Sequence, residues 1–268
     1  NGCAVGNDGT ILKTIDGGIN WNAQTSGTTN RLISVHFSDI NSGLVVGYLG
    51  TIIKTTNGGV DWKSKTGGTT NNLSSVHFRD SNNGWTVGWT GTILNTTNSG
   101  KDWNLQISGT SNDLYSVYFT DSNTGWAVGH KGTILKTMDG GINWNAQTSG
   151  TTNYLLSVYF TDSNTGWAVG GYDDGNTTVN IILKTGDGGI NWSSQISGTT
   201  NILTSVHFAD SSTGWAVGDK GTILKTSNGG NDWIPQTSGT TNILWSVNFS
   251  DTVNGWTVGE TGTILKTM

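Results

Sequence analysis

The 268-residue chain repeats itself, and the period of that repeat limits its possible folds more than any other feature. A Gly-x-x-Val-Gly pentapeptide occurs seven times, beginning at Gly2, Gly43, Gly84, Gly125, Gly166, Gly214 and Gly255. Successive copies lie 41 residues apart except the fifth and sixth, which are 48 apart. A fixed period of roughly 20–50 residues denotes a solenoid, a propeller or an array, in which each unit buries its apolar face against its neighbours. The repeat also sorts residues. Those that recur in every unit build the frame, and only those that do not can carry a specific function.

One unit, 125–165, shows the local plan. Trp126-Ala-Val-Gly129 is a short aromatic and β-branched run ended by glycine, and the tip His130-Lys131 with Gly132 leads into Thr133-Ile-Leu-Lys-Thr137. Two such runs joined by a short glycine-bounded tip read as a hairpin. Asp139-Gly-Gly marks a turn before a strand opening at Trp144 (WNAQTS). A Gly/Thr/Asn loop at 150–153 leads to Ser157-Val-Tyr-Phe160, and a turn at Asp162-Ser-Asn-Thr restarts the unit. That makes four strands with no helical period. Alternation puts Val158 with Phe160 on one face and Trp126 with Val128 on one face. Burying each large side chain is worth roughly 1.5–3 kcal/mol, so such sheets stack. Four-stranded sheets stacked radially form a β-propeller, whereas β-helix rungs are much shorter.

The expected fold is therefore all-β: one propeller domain over 1–268, with four-stranded antiparallel blades. Seven Gly-x-x-Val-Gly strands and seven Thr-Ile-Leu-Lys-Thr-type strands stand against six Trp-led and six Ser-Val-x-Phe strands. Seven blades with incomplete first and last members fit these numbers, and the sequence then reads as part of a longer protein. A six-bladed ring with a spare N-terminal hairpin is the alternative. The net charge of −5, with charged residues at 12%, argues against a phosphate-backbone partner, so no nucleic acid is expected. No apolar run approaches the roughly 18 residues of a membrane span, and no signal peptide is visible. Cys3 is the lone cysteine, which leaves neither an internal disulfide nor a cysteine metal site. It stands where five other units place Trp. No cofactor is expected.

The segment 14–21, Thr-Ile-Asp-Gly-Gly-Ile-Asn-Trp, fits the Asp-box pattern Ser/Thr-x-Asp-x-Gly-x-x-Trp of sialidases and other Asp-box propellers. The longer frame, GWAVG, GTILKT, DGG, W, QTSGT, L and SVxF in order, resembles the repeat of photosystem II stability/assembly factor-like propellers, over essentially the whole chain. The resemblance implies a seven-bladed ring whose Asp-box turns join strands 3 and 4. Similar repeats in bacterial surface proteins imply a secreted or cell-surface setting, with periplasm or lumen as the alternative. Sialidases of this type use three arginines on the substrate carboxylate, and this chain has two, Arg31 and Arg79. The same pair departs from the arginine-rich patch of the assembly factors.

Most of the conspicuous residues belong to the frame. Trp21, Trp62, Trp103, Trp144, Trp192 and Trp233 share the Asp-box column, and Trp85, Trp126, Trp167, Trp215 and Trp256 share the pentapeptide column. The box acid itself alternates: Asp16, Asn57, Asn98, Asp139, Asp187, Asn228. Asn keeps the short acceptor that ties a turn and loses the charge, so these six are structural, and no catalytic residue is expected among them. A lysine column (Lys13, Lys54, Lys136, Lys184, Lys225, Lys266, with Asn95 interrupting) is likewise framework. His36, His77 and His207 alternate in one column with Tyr118, Tyr159 and Asn248, which suits packing better than the three or four converging ligands of a metal site. No metal site is assigned. Asp173-Asp174-Gly175-Asn176 offers oxygens to calcium without the spacing of a complete calcium loop.

The variation lies on one side. Antiparallel order places the 2–3 tips and 4–1 loops together, opposite the uniform Asp boxes. The candidate binding residues there are Arg31, Tyr48, Trp89, Tyr115, His130, Tyr154, Tyr172, Asp173, Asp174 and Trp245. The fifth tip is a longer excursion, 171–179. The acids on this side, Asp8, Asp113, Asp173, Asp174, Asp219 and Glu260, are scattered over different blades with no pair marked for glycoside hydrolysis. The function expected is thus non-catalytic: a scaffold presenting this face to a protein partner or surface assembly. Glycan binding through Trp89, Trp245 and the tyrosines is the alternative.

Overall fold

The computed structural model describes residues 1–267 and holds seven antiparallel sheets, the blades of a β-propeller. Blade 1 has three strands, Gly2–Val5, Ile11–Thr14 and Asn22–Gln24. Blades 2 to 6 have four each and begin at the strands Leu32–Phe37, Leu73–Phe78, Leu114–Phe119, Tyr154–Phe160 and Leu203–Phe208. Blade 7 has three, Leu244–Phe249, Gly255–Gly259 and Ile264–Lys266. Strands in each blade pair in chain order. Seven blades with three-stranded first and last members replace the six-bladed alternative.

The chain divides into two compact units, residues 1–125 with 137–145, and 126–136 with the chain from 146 onward. Within each, the frame residues interlock from blade to blade in one way. In the first unit Trp85 of blade 3 stacks on Phe119 of blade 4 at 3.5 Å, and Phe119 meets the box Trp144 edge-on at 5.9 Å. The Trp85 indole N–H donates to Gly140 O of that same box at 2.9 Å. The second unit repeats the triplet as Trp126, Phe160 and Trp192, and again as Trp167, Phe208 and Trp233. There the indoles donate to Gly188 O and Gly229 O. The pentapeptide's first glycine follows from the packing: a Cβ on Gly125 would sit 2.6 Å from the Phe119 ring.

The Asp boxes contain a pairing that column-by-column reading missed. In blade 1 Asp16 accepts the Asn20 side-chain amide at 2.7 Å, and in blade 2 Asn57 donates its amide to Asp61 at 2.8 Å. Every box holds one Asp and one Asn four residues apart: Asp139 with Asn143, Asp187 with Asn191, Asn98 with Asp102, and Asn228 with Asp232. The position exchanges, and the donor–acceptor pair does not. Where the box residue is Asp, these bonds hold its carboxyl low. The backbone and side chain of Asn20 and the Thr14 hydroxyl bring Asp16 to about 2.

Three expectations about strand extent need correction. The outer strands are shorter than the WNAQTS reading: blade 4 uses Asn145–Gln147, with Trp144 ahead of the strand, and blade 5 only Ser193–Ser194. The excursion at 171–179 is mostly regular hairpin. Gly166–Asp173 pairs with Thr178–Thr185, leaving only 174–177 as a turn. Trp245, expected on a 4–1 loop, lies within an inner strand at a register shift of one residue, as do Ile33, Ser74, Leu156 and Thr204 at the same place in other blades. A bulge leaves its extra residue outside the ladder and re-aims its side chain.

The histidine column packs as rings. His36 lies 5.1 Å from His77, and His77 lies 4.7 Å from Tyr118; in the second unit Tyr159 lies 4.7 Å from His207. Burial pushes the imidazoles down, to about 4 for His36, about 3 for His77 and about 4 for His207. Among the described residues no three of His, Cys, Asp and Glu are placed to share a metal ion.

Candidate functional site

Each regular 2–3 tip is a single turn of 3-10 type whose middle residue is left-handed without being glycine. Asp8, Leu49, Thr90, Lys131, Lys220 and Thr261 have φ between 52° and 56°. For an L-residue this region costs roughly 1–2 kcal/mol. In the first five of these tips (Gly9, Gly50, Gly91, Gly132 and Gly221) the following glycine is enforced by contact, since a Cβ on Gly50 would clash with Thr69 O. The tips are pinned to the loop leading into the inner strand. Tyr48 N–H donates to Arg31 O and Trp89 N–H to Asn72 O, both at 2.9 Å. Asn72 and Asp113 side chains of the next blade then take the Leu49 and Thr90 N–H groups at 2.9 and 2.8 Å. Asp113 is therefore a structural acceptor.

Two groups of the expected residues come together, one in each unit. In the first, Arg31 lies over the Tyr48 ring at 5.5 Å, and Tyr48 meets Trp89 edge-on at 5.9 Å. Trp89 is 41% exposed and Leu49, which sequence reading did not single out, 67%. In the second, His130 meets Tyr154 edge-on at 4.6 Å and Tyr154 meets Tyr172 at 5.7 Å. Asp173 and Asp174 stand on the same hairpin as Tyr172 and mainly tie its turn. Asp173 accepts the Gly175 N–H, and Asp174 those of Asn176 and Thr177, at 2.8–2.9 Å. Those bonds hold Asp174 below the usual carboxylate range.

Tyr115 and Trp245 both lie on inner strands. Tyr115 is half-buried within the inner strand Leu114–Phe119. Trp245, 47% exposed, is the bulge residue of blade 7. The structure also exposes an aliphatic side chain in four turns of the Asp-box side: Ile19, Val60, Ile142 and Ile190. Sequence reading had treated that side as uniform frame, because the column is apolar in only four of six units. Shallow surface troughs are lined by residues 8–11 with 23–29, and by residues 147–153, just ahead of Tyr154 in the chain.

The fold and the repeated box define an Asp-box β-propeller of tandem repeats with two aromatic clusters on its variable side. The family described as Photosynthesis system II assembly factor YCF48 matches at residues 20–109, 104–199, 144–233 and 194–268, and the chain belongs to it. No curated protein matches the sequence significantly. Similar solved structures include "YCF48 bound to D1 peptide", at 19% identity and TM-score 0.53 over 89% of this chain and 92% of that one. YCF48 from Cyanidioschyzon merolae is similar at 21% identity and TM-score 0.52, over 89% of this chain and 95% of that one. A GH74 enzyme from Niastella koreensis gives TM-score 0.80 at 14% identity, over 98% of this chain and 50% of the enzyme. At such identities the likeness concerns fold.

Proposed function

We propose that this propeller is a non-catalytic binding module that holds a protein partner on its 2–3 tips and 4–1 loops. The observation that carries the reading is the backbone of the tips: six unrelated side chains are kept in a left-handed conformation that glycine would relieve. Strain of this kind persists where the displayed residue is used. The Arg31–Tyr48–Trp89 group adds partly exposed aromatics beside an arginine, the residue types enriched in protein-binding hot spots. A YCF48 solved with a D1 peptide supports a polypeptide as the class of partner. The GH74 likeness argues less, because this chain spans half of that enzyme and its variable-side acids are separated or committed to turns. A secreted or cell-surface setting remains part of the proposal, carried by the resemblance of the repeat.

Placing a photo-crosslinking residue at Leu49 or Lys131, and in parallel at Ile19 or Ile142, tests the side used. Protein adducts from the tips alone are expected, with no release of reducing sugar from glucan substrates. Adducts from the box turns alone, or turnover, would overturn the proposal. Trp89 exposure favours carbohydrate as the second reading. Saturable glycan binding abolished by Trp89→Ala, with no protein adduct, would establish it.

A further inference from the structure

The blade 5–7 tips narrow the partner's chemistry, on the reading that this side binds protein. Tyr172 is 38% exposed at the end of the ladder His130, Tyr154, Tyr172, and its cross-strand neighbour Val179 is exposed beside it. The wall continues to Ile202, whose side chain comes within 3.0 Å of where a Cβ on Gly171 would sit. The Ile202 carbonyl accepts the Asp219 N–H at 3.0 Å, and so fixes that acidic tip against the wall. Glu260 is pinned in the same way, its N–H donating to Ile243 O at 2.9 Å. Asp173, Asp219 and Glu260 thus stand on the tips of three successive blades, with Asp219 near enough to feel both of the others.

Asp219 is the carboxylate of the three that its surroundings oppose. Burial first, then Glu260 and Asp173, hold the Asp219 carboxyl above its usual range, and Lys220 alone opposes them. The ring faces of Tyr and the carboxylates both attract cations, and the apolar wall suits the stem of Lys or the plane of Arg. An anionic segment would meet repulsion from all three acids.

We infer that the aromatic wall of His130, Tyr154 and Tyr172, together with the acidic tips that carry Asp173, Asp219 and Glu260, docks a Lys- or Arg-bearing segment of a protein partner. The cationic head lies among the carboxylates, and the aliphatic stem or guanidinium plane lies along Tyr172.

The test titrates the intact chain, at low salt, with a capped Gly-Lys repeat peptide and with matched Gly-norleucine and Gly-Glu peptides. Binding is expected for the lysine peptide alone. Tyr172→Ala and Asp219→Asn should each weaken it about threefold to tenfold. Asp8→Asn, which removes the same charge from the blade 1 tip, should change it less than about twofold. Melting temperatures of all three variants check the fold. Equal losses in Asp8→Asn and Asp219→Asn would reduce the effect to bulk charge and overturn the inference. A silent Tyr172→Ala would do the same, as would binding of the norleucine or glutamate peptide. If no peptide binds while crosslinks from Leu49 persist, this inference falls and the binding-module reading stands. If both fail, both fall.

Discussion

At the scale of single residues, the Asp boxes separate what is chemical from what is architectural. A lone box acid held at about 2 invites a catalytic reading, yet its bonds all end within its own turn. The paired exchange makes this testable. Asn57→Asp sets two carboxylates against each other at a 2.8 Å contact and should lower the melting temperature. Adding Asp61→Asn should restore it, because the reversed pair is the one blades 1, 4 and 5 already use. A double variant no more stable than the single one would show that the pair is not the unit of stability. Ser99 is a second case, standing at φ 63 where the other boxes have glycine. Its hydroxyl bonds Asn82 at 2.9 Å, which offsets part of the strain. Ser99→Gly should therefore raise stability by about 0.5–1 kcal/mol in denaturant unfolding.

At the scale of the blade, the decisive contacts run from one sheet to the next. Trp167→Phe keeps most of the ring burial but loses the indole bond to Gly229 O, and should cost about 1–3 kcal/mol. A cost near zero would place the frame's stability elsewhere. Much of this was legible in the sequence, because strand order, the Trp and Phe columns and the turn glycines all recur with the period. The triplets were not, since residues such as Trp85, Phe119 and Trp144 meet only once two blades pack. Nor was the bulge, which looks like one more variable loop position until register is known. The candidate site was half legible. Variation pointed to these tips, but only pairing shows that Tyr48 and Trp89 meet and that His130, Tyr154 and Tyr172 meet. Leu49 was missed because nothing in the sequence marks a left-handed leucine.

At the scale of the whole molecule, titration supplies a global readout. His36, His77 and His207 are held neutral, below the ordinary 6.5. The unfolded chain therefore binds more protons below that value, and stability falls as pH drops from 6.5 toward about 4. Asp16, Asp187 and Asp251 sit at about 2 in the fold, against an ordinary 3.8. Their contribution is present above 3.8 and is lost as pH falls toward about 2. Unfolding should show both phases, and His36→Tyr/His77→Tyr, which copies Tyr118 and Tyr159 of the same column, should flatten the first. The functional account turns on which side of the propeller is used, since aromatic tips and aliphatic box turns are both exposed. The most direct measurement is the affinity of the crosslinked partner for Trp89→Ala and for Ile142→Ala, with melting temperatures matched. The account predicts a loss of about tenfold or more for Trp89→Ala and none for Ile142→Ala. The reverse order would contradict it.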